Sequence, residues 1–362
     1  MNRPVRAGAI AAAALLVAVL GGVPAQADPP TSRFTQVNQV SDQASDHAAV
    51  TDPALVNAWG LALSPTSPLW VANNGTNTAT VYPGGLGGAP VTKAGLTVTI
   101  PGGAPTGQVA NPTTDFVVSA KKPDGSTASA PARFLFVSED GDVTGWNPTV
   151  DGTHAISMAH IEGAVYKGLA LVQTQLGPFL LATDFANGRI DVFDRTFARL
   201  SLPHQFFHDE RLPNGYAPFN VLATGDTVYV AYARQQAGST DEKAGRGFGI
   251  VDAYTDLGLT VRRIASHGVL NAPWGLAIAP AGFGDLAGDL LVGNFGDGRI
   301  SAYHGDHLVG QLRDQHGKPI AIDGLWALQP GTASSGGTNT VWFSAGPADE
   351  AHGLVGQLIP AV

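Results

Sequence analysis

Cysteine is absent from the 362 residues. Its absence excludes disulfides, thiolate metal sites, a cysteine nucleophile and a lipidated N-terminal cysteine. Charge is also scarce, with Asp, Glu, Lys and Arg making up 14% of the chain against 44% hydrophobic residues. A disordered tail protein has the opposite balance. The charges present sum to −9. That excludes a sequence-independent nucleic-acid binder, because phosphates need a cationic surface. After the first 27 residues no apolar run reaches the ~18–20 residues that a membrane-spanning helix needs. Long helices are not expected either, since 46 Gly and 25 Pro punctuate the chain. No Gly-x-Ser-x-Gly elbow, phosphate loop or His-Glu-x-x-His zinc motif occurs.

The N-terminus reads as an address. Arg3 and Arg6 precede an apolar run over 7–19, which Gly21, Gly22 and Pro24 break. Ala25-Gln26-Ala27 fits the small-x-small rule of signal peptidase. A secretory signal peptide over 1–27 and a secreted product over 28–362 are therefore expected. No membrane contact is expected after cleavage, and a monomer is expected.

The remaining chain repeats itself. An apolar run, a turn, a second run, an Asn/Asp-Gly turn and a third run recur six times. Equivalent positions fall at Leu61, Phe116, Leu169, Val221, Leu276 and Trp326. Fourth strands are expected over 96–100, 155–161, 198–202, 259–264 and 308–312. The sixth unit has none, and the alternating segment 34–40 is left over at the other end. These counts predict an all-β, six-bladed β-propeller in one domain over 28–362, with the N-terminal strand closing the last blade. Such closure removes a free sheet edge. Loops are expected over 120–132, 235–247 and 331–339.

Two of the units share a wording. Residues 181–193 read Leu-Ala-Thr-Asp-Phe-Ala-Asn-Gly-Arg-Ile-Asp-Val-Phe, and 291–303 read Leu-Val-Gly-Asn-Phe-Gly-Asp-Gly-Arg-Ile-Ser-Ala-Tyr. Both resemble the NHL-type propeller repeat. With 40–42, 51–53, 55–63, 166–170, 215–220, 271–277 and 324–328, the chain resembles an uncharacterised family of exported bacterial β-propeller proteins. It departs from that family's pattern at Ala58, where Pro usually precedes the first Trp, and at Asn73, where Asp is usual. The resemblance implies no particular reaction.

A propeller brings the start of each innermost strand and the end of the second strand to one axial face. The residues expected there as ligand-binding groups are Asn57, Trp59, Asn73, Asn111, Lys167, Asn271 and Trp274. Glu139, Asp184, Asn220, Asn294 and Asp323 are the oxygen donors expected for a cation, with Ca²⁺ the hard ion such a set would take. Lys167 and Asp184 are expected as an ion pair or catalytic pair. The favoured reading is a binding propeller that takes a polar small molecule, glycan or peptide at the axial face, the tryptophans serving as stacking surfaces. The alternatives are a metal-assisted hydrolase or lyase of the lactonase-like propeller type and an extracellular interaction scaffold. The first rests on fold analogy alone.

Overall fold

The computed structural model describes residues 31–361. The signal peptide expected over 1–27 lies outside them. Among the described residues no helix is long and apolar enough to cross a membrane. The chain forms a six-bladed β-propeller.

From the axis outward, the first blade is Ala58–Ala62, Leu69–Asn73, Thr78–Tyr82 and Thr97–Thr99. The second is Pro105–Ala110, Phe134–Ser138, Asp142–Trp146 and Ile156–His160. The third has three strands, Tyr166–Thr174, Gly177–Asp184 and Arg189–Phe193. The fourth is Tyr216–Thr224, Thr227–Arg234, Gly249–Thr255 and Thr260–Ser266. The fifth is Pro273–Ile278, Leu290–Asn294, Ile300–His304 and His307–Gln311. The sixth begins with Leu325–Pro330, Val341–Ala345 and Leu354–Pro360. The N-terminal strand Phe34–Ser41 then pairs antiparallel with Leu354–Pro360, and Val50–Thr51 adds a short parallel edge. Each innermost strand packs on those of the flanking blades, and the sixth meets the first.

Four local expectations need correction. The innermost strand of the second blade is Pro105–Ala110, not the segment around Phe116. Val117–Lys121 instead pairs with Thr127–Pro131 in a separate hairpin, which occupies much of the loop expected over 120–132. Pro105–Ala110 carries Pro-Thr-Gly-Gln-Val-Ala, too few bulky apolar residues to read as a core strand. Against Leu61, the equivalent positions are therefore Gln108 and Leu328 rather than Phe116 and Trp326. The fourth strand expected over 198–202 is reduced to a Phe193–Arg199 bridge and two flanking backbone bonds.

One device recurs at the axis. Each innermost strand carries a β-bulge against its neighbour near its start. In five blades the residue just before that strand has a left-handed backbone: Asn57, Ala104, Gly215, Ala272 and Gly324. A bulge adds twist and re-aims one side chain. The re-aimed residues are Trp59, Thr106, Lys167, Phe219, Trp274 and Trp326, none more than 4% exposed. Trp59 stacks on Trp326 at 3.7 Å, and Phe295 stacks on the same ring at 4.0 Å. Trp274 stands edge-on to both tryptophans, at 6.3 and 6.0 Å. This layer closes the axis with aromatic contacts worth ~0.5–1.5 kcal/mol per pair beyond simple burial.

The next residue in each blade is small or bridging: Gly60, Gly107, Gly168, Asn220, Gly275 and Ala327. Side chains tie one blade to the next at this level. Gln108 donates to the Gly60 carbonyl at 2.6 Å, Thr106 to the Tyr166 carbonyl at 2.7 Å, and Asn220 to the Trp274 carbonyl at 2.7 Å. Ser344 donates to the Trp59 carbonyl and so joins the sixth blade to the first.

Candidate functional site

Above the aromatic layer, Lys167 is the only cation at the axis among the described residues, and its side chain is 2% exposed. Its ammonium lies 5.2 Å from the centroid of the Trp59 ring, a cation–π contact. It donates to Glu139 Oε1 at 2.5 Å and lies 3.6 Å from Asp241 Oδ1. Burial acts to lower the pKa of Lys167, but Glu139, Glu242 and Asp241 outweigh it and hold the pKa above the usual lysine value. Lys167 is therefore a fixed positive charge.

The carboxylates around it come from loops. Glu139 follows the second strand of its blade, Asp241 and Glu242 lie in the loop 235–248, and Glu350 lies in the loop 346–353. Asn57 donates to Glu350 Oε2 at 2.6 Å and to Asn74 Oδ1 at 3.3 Å. Asn74 donates to Glu139 Oε2 at 3.0 Å, and the Trp326 indole donates to Asn57 Oδ1 at 2.9 Å. A continuous hydrogen-bonded path thus runs from the aromatic layer to the mouth. Burial pushes Glu242 up to about 7, with Lys167 opposing and Glu350 and Asp241 adding to the rise. Burial also raises Glu350, against the Asn57 hydrogen bond and the Lys167 charge. Four carboxyl groups surround one ammonium, so the mouth holds more acids than cations, and burial leaves Glu242 partly protonated near neutrality.

The structure brings Asn57, Trp59, Glu139, Lys167 and Trp274 together around this mouth and the layer beneath it. The other expected residues have separate partners. Asn73 donates to Thr78 and Thr80 within its own sheet. Asn111 lies beyond the far end of the strand Pro105–Ala110, away from the mouth, and donates to the Asp115 and Ala132 carbonyls. Asn271 accepts from the Gly245 backbone, and Asn294 accepts from the Asn271 backbone. Asn220 bridges two blades below the layer. Asp184 pairs with Arg189 at 2.9 Å and with Asn187, not with Lys167. Asp323 accepts from the Ala348 backbone. Among the described residues no three His, Cys, Asp or Glu side chains are placed to hold a metal ion.

No protein-family model matches the chain. An uncharacterised protein of Acanthamoeba polyphaga mimivirus is 34% identical over 336 residues, which span 89% of this chain and 80% of that protein. The chain belongs to that protein's family. A second viral member of the family is 32% identical over 340 residues, 90% of this chain and 85% of its own length. Among solved structures, the GH93 α-L-arabinofuranosidase of Fusarium graminearum in complex with arabinobiose superimposes with a TM-score of 0.50. The match spans 90% of this chain and 98% of that one at 10% identity, and it shows a shared fold alone.

Reading strand ends alone misses Asn74, Asp241, Glu242 and Glu350. All four lie in loops between the second and third strands, which open on the same face as the innermost strands begin. The signal available is positional: these loops open on the axial face, so their carboxylates are candidates for it.

Proposed function

We propose that the chain is a ligand-binding propeller whose acidic axial mouth takes a polar ligand carrying positive charge, such as an amine-bearing sugar, metabolite or peptide. The observation that carries this reading is the imbalance at the axis, where Lys167 alone faces Glu139, Asp241, Glu242 and Glu350. A cationic ligand would relieve the repulsion among these groups, and hydroxyl groups would find carboxylate acceptors. Asp241 is 62% exposed and Glu139 26%, so both remain reachable from solvent. Lys167 already fills the centre of the acidic set, which favours an organic cation at the rim over a Ca²⁺ ion at the axis. The metal-assisted hydrolase reading needs Glu139, Asp184 and Asp323 around one ion, whereas each is engaged with different partners. Export from the cell is part of the proposal and rests on the Arg3, Arg6 and Ala25-Gln26-Ala27 pattern.

The test is thermal shift with glucosamine, spermidine, glucose and calcium chloride. Glucosamine and spermidine should raise the melting temperature, because a ligand bound only to the native state must stabilise it. Glucose should do so less, and added salt should weaken the cationic shifts. Glu242→Gln and Glu350→Gln should each weaken binding by about threefold, as befits partly exposed ion pairs. Equal shifts with glucose and glucosamine, or full shifts when Glu242→Gln and Glu350→Gln are combined, would overturn the reading. A chelator-sensitive calcium shift lost in the same variants would replace the organic cation with the metal.

A further inference from the structure

Large apolar side chains left exposed gather at one seam of the propeller. Leu176 is 78% exposed, the most of any large hydrophobic residue described, and Leu257 and Leu202 are 46% and 41% exposed. All three line one groove of ≈190 Å³, together with Phe179, Phe206 and Phe207. The turn at Leu176 joins the first and second strands of the third blade, and the turn at Leu257 joins the third and fourth strands of the fourth. Both turns therefore lie on the face away from the acidic mouth.

The groove exists because the third blade has no regular fourth strand. Pro203 interrupts the segment that would supply one. That segment instead crosses to the fourth blade, where the Phe207 amide donates to the Gly258 carbonyl at 2.7 Å and the Phe207 ring packs on Tyr254 at 5.8 Å. Two carboxylates stand beside the seam. Asp256 lines the groove, and Asp226 adjoins Leu176 and Leu257 in the depression that continues it. Among the described residues neither carboxylate has a hydrogen-bond or ion-pair partner. No Lys, Arg or His lines either part. Arg189 and Arg199 meet the crossing segment in a neighbouring pocket, and both are paired with Asp191.

Contiguous exposed apolar surface of this kind marks a contact site. The groove is smaller than the ~300–1,000 Å³ of ligand pockets, so it suits an anchoring side chain better than a free small molecule. The unpaired acids select the occupant. They repel the anionic headgroups of a lipid surface. A second copy would bring the same acids to the same patch, in a chain whose charges sum to −9. We propose that the groove docks a short basic and apolar segment of another protein, with a Leu or Phe side chain seated between Leu176, Leu202 and Leu257 and Lys or Arg beside Asp226 and Asp256. This site and the acidic mouth lie on opposite faces, so it stands independently of the cationic ligand.

The test uses a fluorescein-labelled, end-blocked peptide, Lys-Leu-Phe-Lys-Leu-Lys, read by fluorescence anisotropy with the purified protein. One counterpart carries Glu in place of Lys, and another carries Ser in place of Leu and Phe. The parent peptide should bind about tenfold more tightly than either, the ratio expected from burying one large apolar side chain. Leu176→Ser combined with Leu257→Ser should weaken binding about tenfold, and Leu202→Ser should weaken it separately. All three positions are exposed, so the variants should fold, and their melting curves check this. Asp226→Asn combined with Asp256→Asn should weaken binding about threefold and flatten its salt dependence. Glu242→Gln combined with Glu350→Gln should leave it unchanged, which separates the groove from the mouth. The proposal fails if either counterpart binds as well as the parent peptide, if binding survives the leucine variants, or if it is lost in the mouth variant instead. It also fails if the leucine variants abolish a dimer seen by sedimentation or abolish binding to phosphatidylcholine vesicles, since either result gives the groove to a different occupant.

Discussion

A single missing methyl group sets how closely neighbouring blades approach. A Cβ on Gly60 would stand 2.3 Å from the Thr106 carbonyl oxygen, and one on Gly107 would stand 2.4 Å from the Leu169 amide nitrogen. Both obstacles are backbone, which cannot swing aside as a side chain would. Gly107→Ala should therefore destabilise the protein by about 1–3 kcal/mol, the range for overpacking a well-packed core. Gly152→Ala is the control, because nothing lies within 4 Å of its added Cβ, and it should stay within about 0.5 kcal/mol of the parent. Urea unfolding of the three proteins measures both. Part of this arrangement is legible in the sequence. Trp59-Gly60 and Trp274-Gly275 recur in register and announce inter-blade packing. Thr106-Gly107 does the same work with no aromatic to mark it, so the sequence does not announce the innermost strand of the second blade. Lys167 holds the equivalent place in the third blade, and the repeat alone shows that it faces the axis. Its partner Glu139 was legible too, but as a metal ligand, since sequence spacing cannot tell which carboxylate an ammonium will meet.

At the scale of elements, strands and loops differ in how much of their role the sequence records. Strands repeat, so a period exposes them even where one member is irregular. The hairpin Val117–Lys121 with Thr127–Pro131 is an insertion outside the period, and its apolar Phe116 imitated a blade strand. Loops do not repeat, and the segment 235–248 reads only as polar. Folded, it carries Asp241 and Glu242 to the mouth, and Gln235 anchors it by donating to the Phe185 carbonyl at 2.7 Å. The loop's contribution has a testable pH signature. Glu242 is raised from 4.5 to about 7 in the folded protein, mainly by burial. A raised pKa means that the folded state holds the proton more tightly than the unfolded state. The stability this gives is complete below the unfolded value and is lost as pH rises through about 7. The wild type should thus lose stability relative to Glu242→Gln between about pH 5 and about pH 8, with the variant melting a few degrees higher at the alkaline end. Melting temperatures of both proteins across that range measure the difference, and titrating groups remote from Glu242 cancel in the comparison. Parallel curves would mean that Glu242 meets water as freely in the fold as outside it.

For the whole molecule, the decisive contact joins residues more than three hundred positions apart. Phe34–Ser41 pairs along Leu354–Pro360, and the Ala361 amide donates to the Arg33 carbonyl at 2.7 Å. The strand also brings core side chains with it. Phe34 is 1% exposed and packs on Phe283 of the fifth blade at 4.4 Å, and Val40 is 0% exposed. The leftover alternating segment at the N-terminus and the short sixth unit made this closure readable before any coordinates. Burying Phe34 and Val40 contributes about 3–6 kcal/mol in apolar area alone. A chain lacking residues 31–41 should therefore melt about 10 °C lower or lose its cooperative transition altogether. Loss of length by itself is not the cause, and a circular permutant separates the two. Joining residue 361 to residue 31 through a short linker keeps the closing strand, and new termini at Gly125 fall in an exposed turn where a Cβ would meet nothing within 4 Å. Because the paired ends already lie side by side, the permutant should melt within a few degrees of the parent. If the permutant instead falls as far as the truncated chain, the ring is held by something other than that strand, and the axial mouth would have to be rebuilt on a different closure.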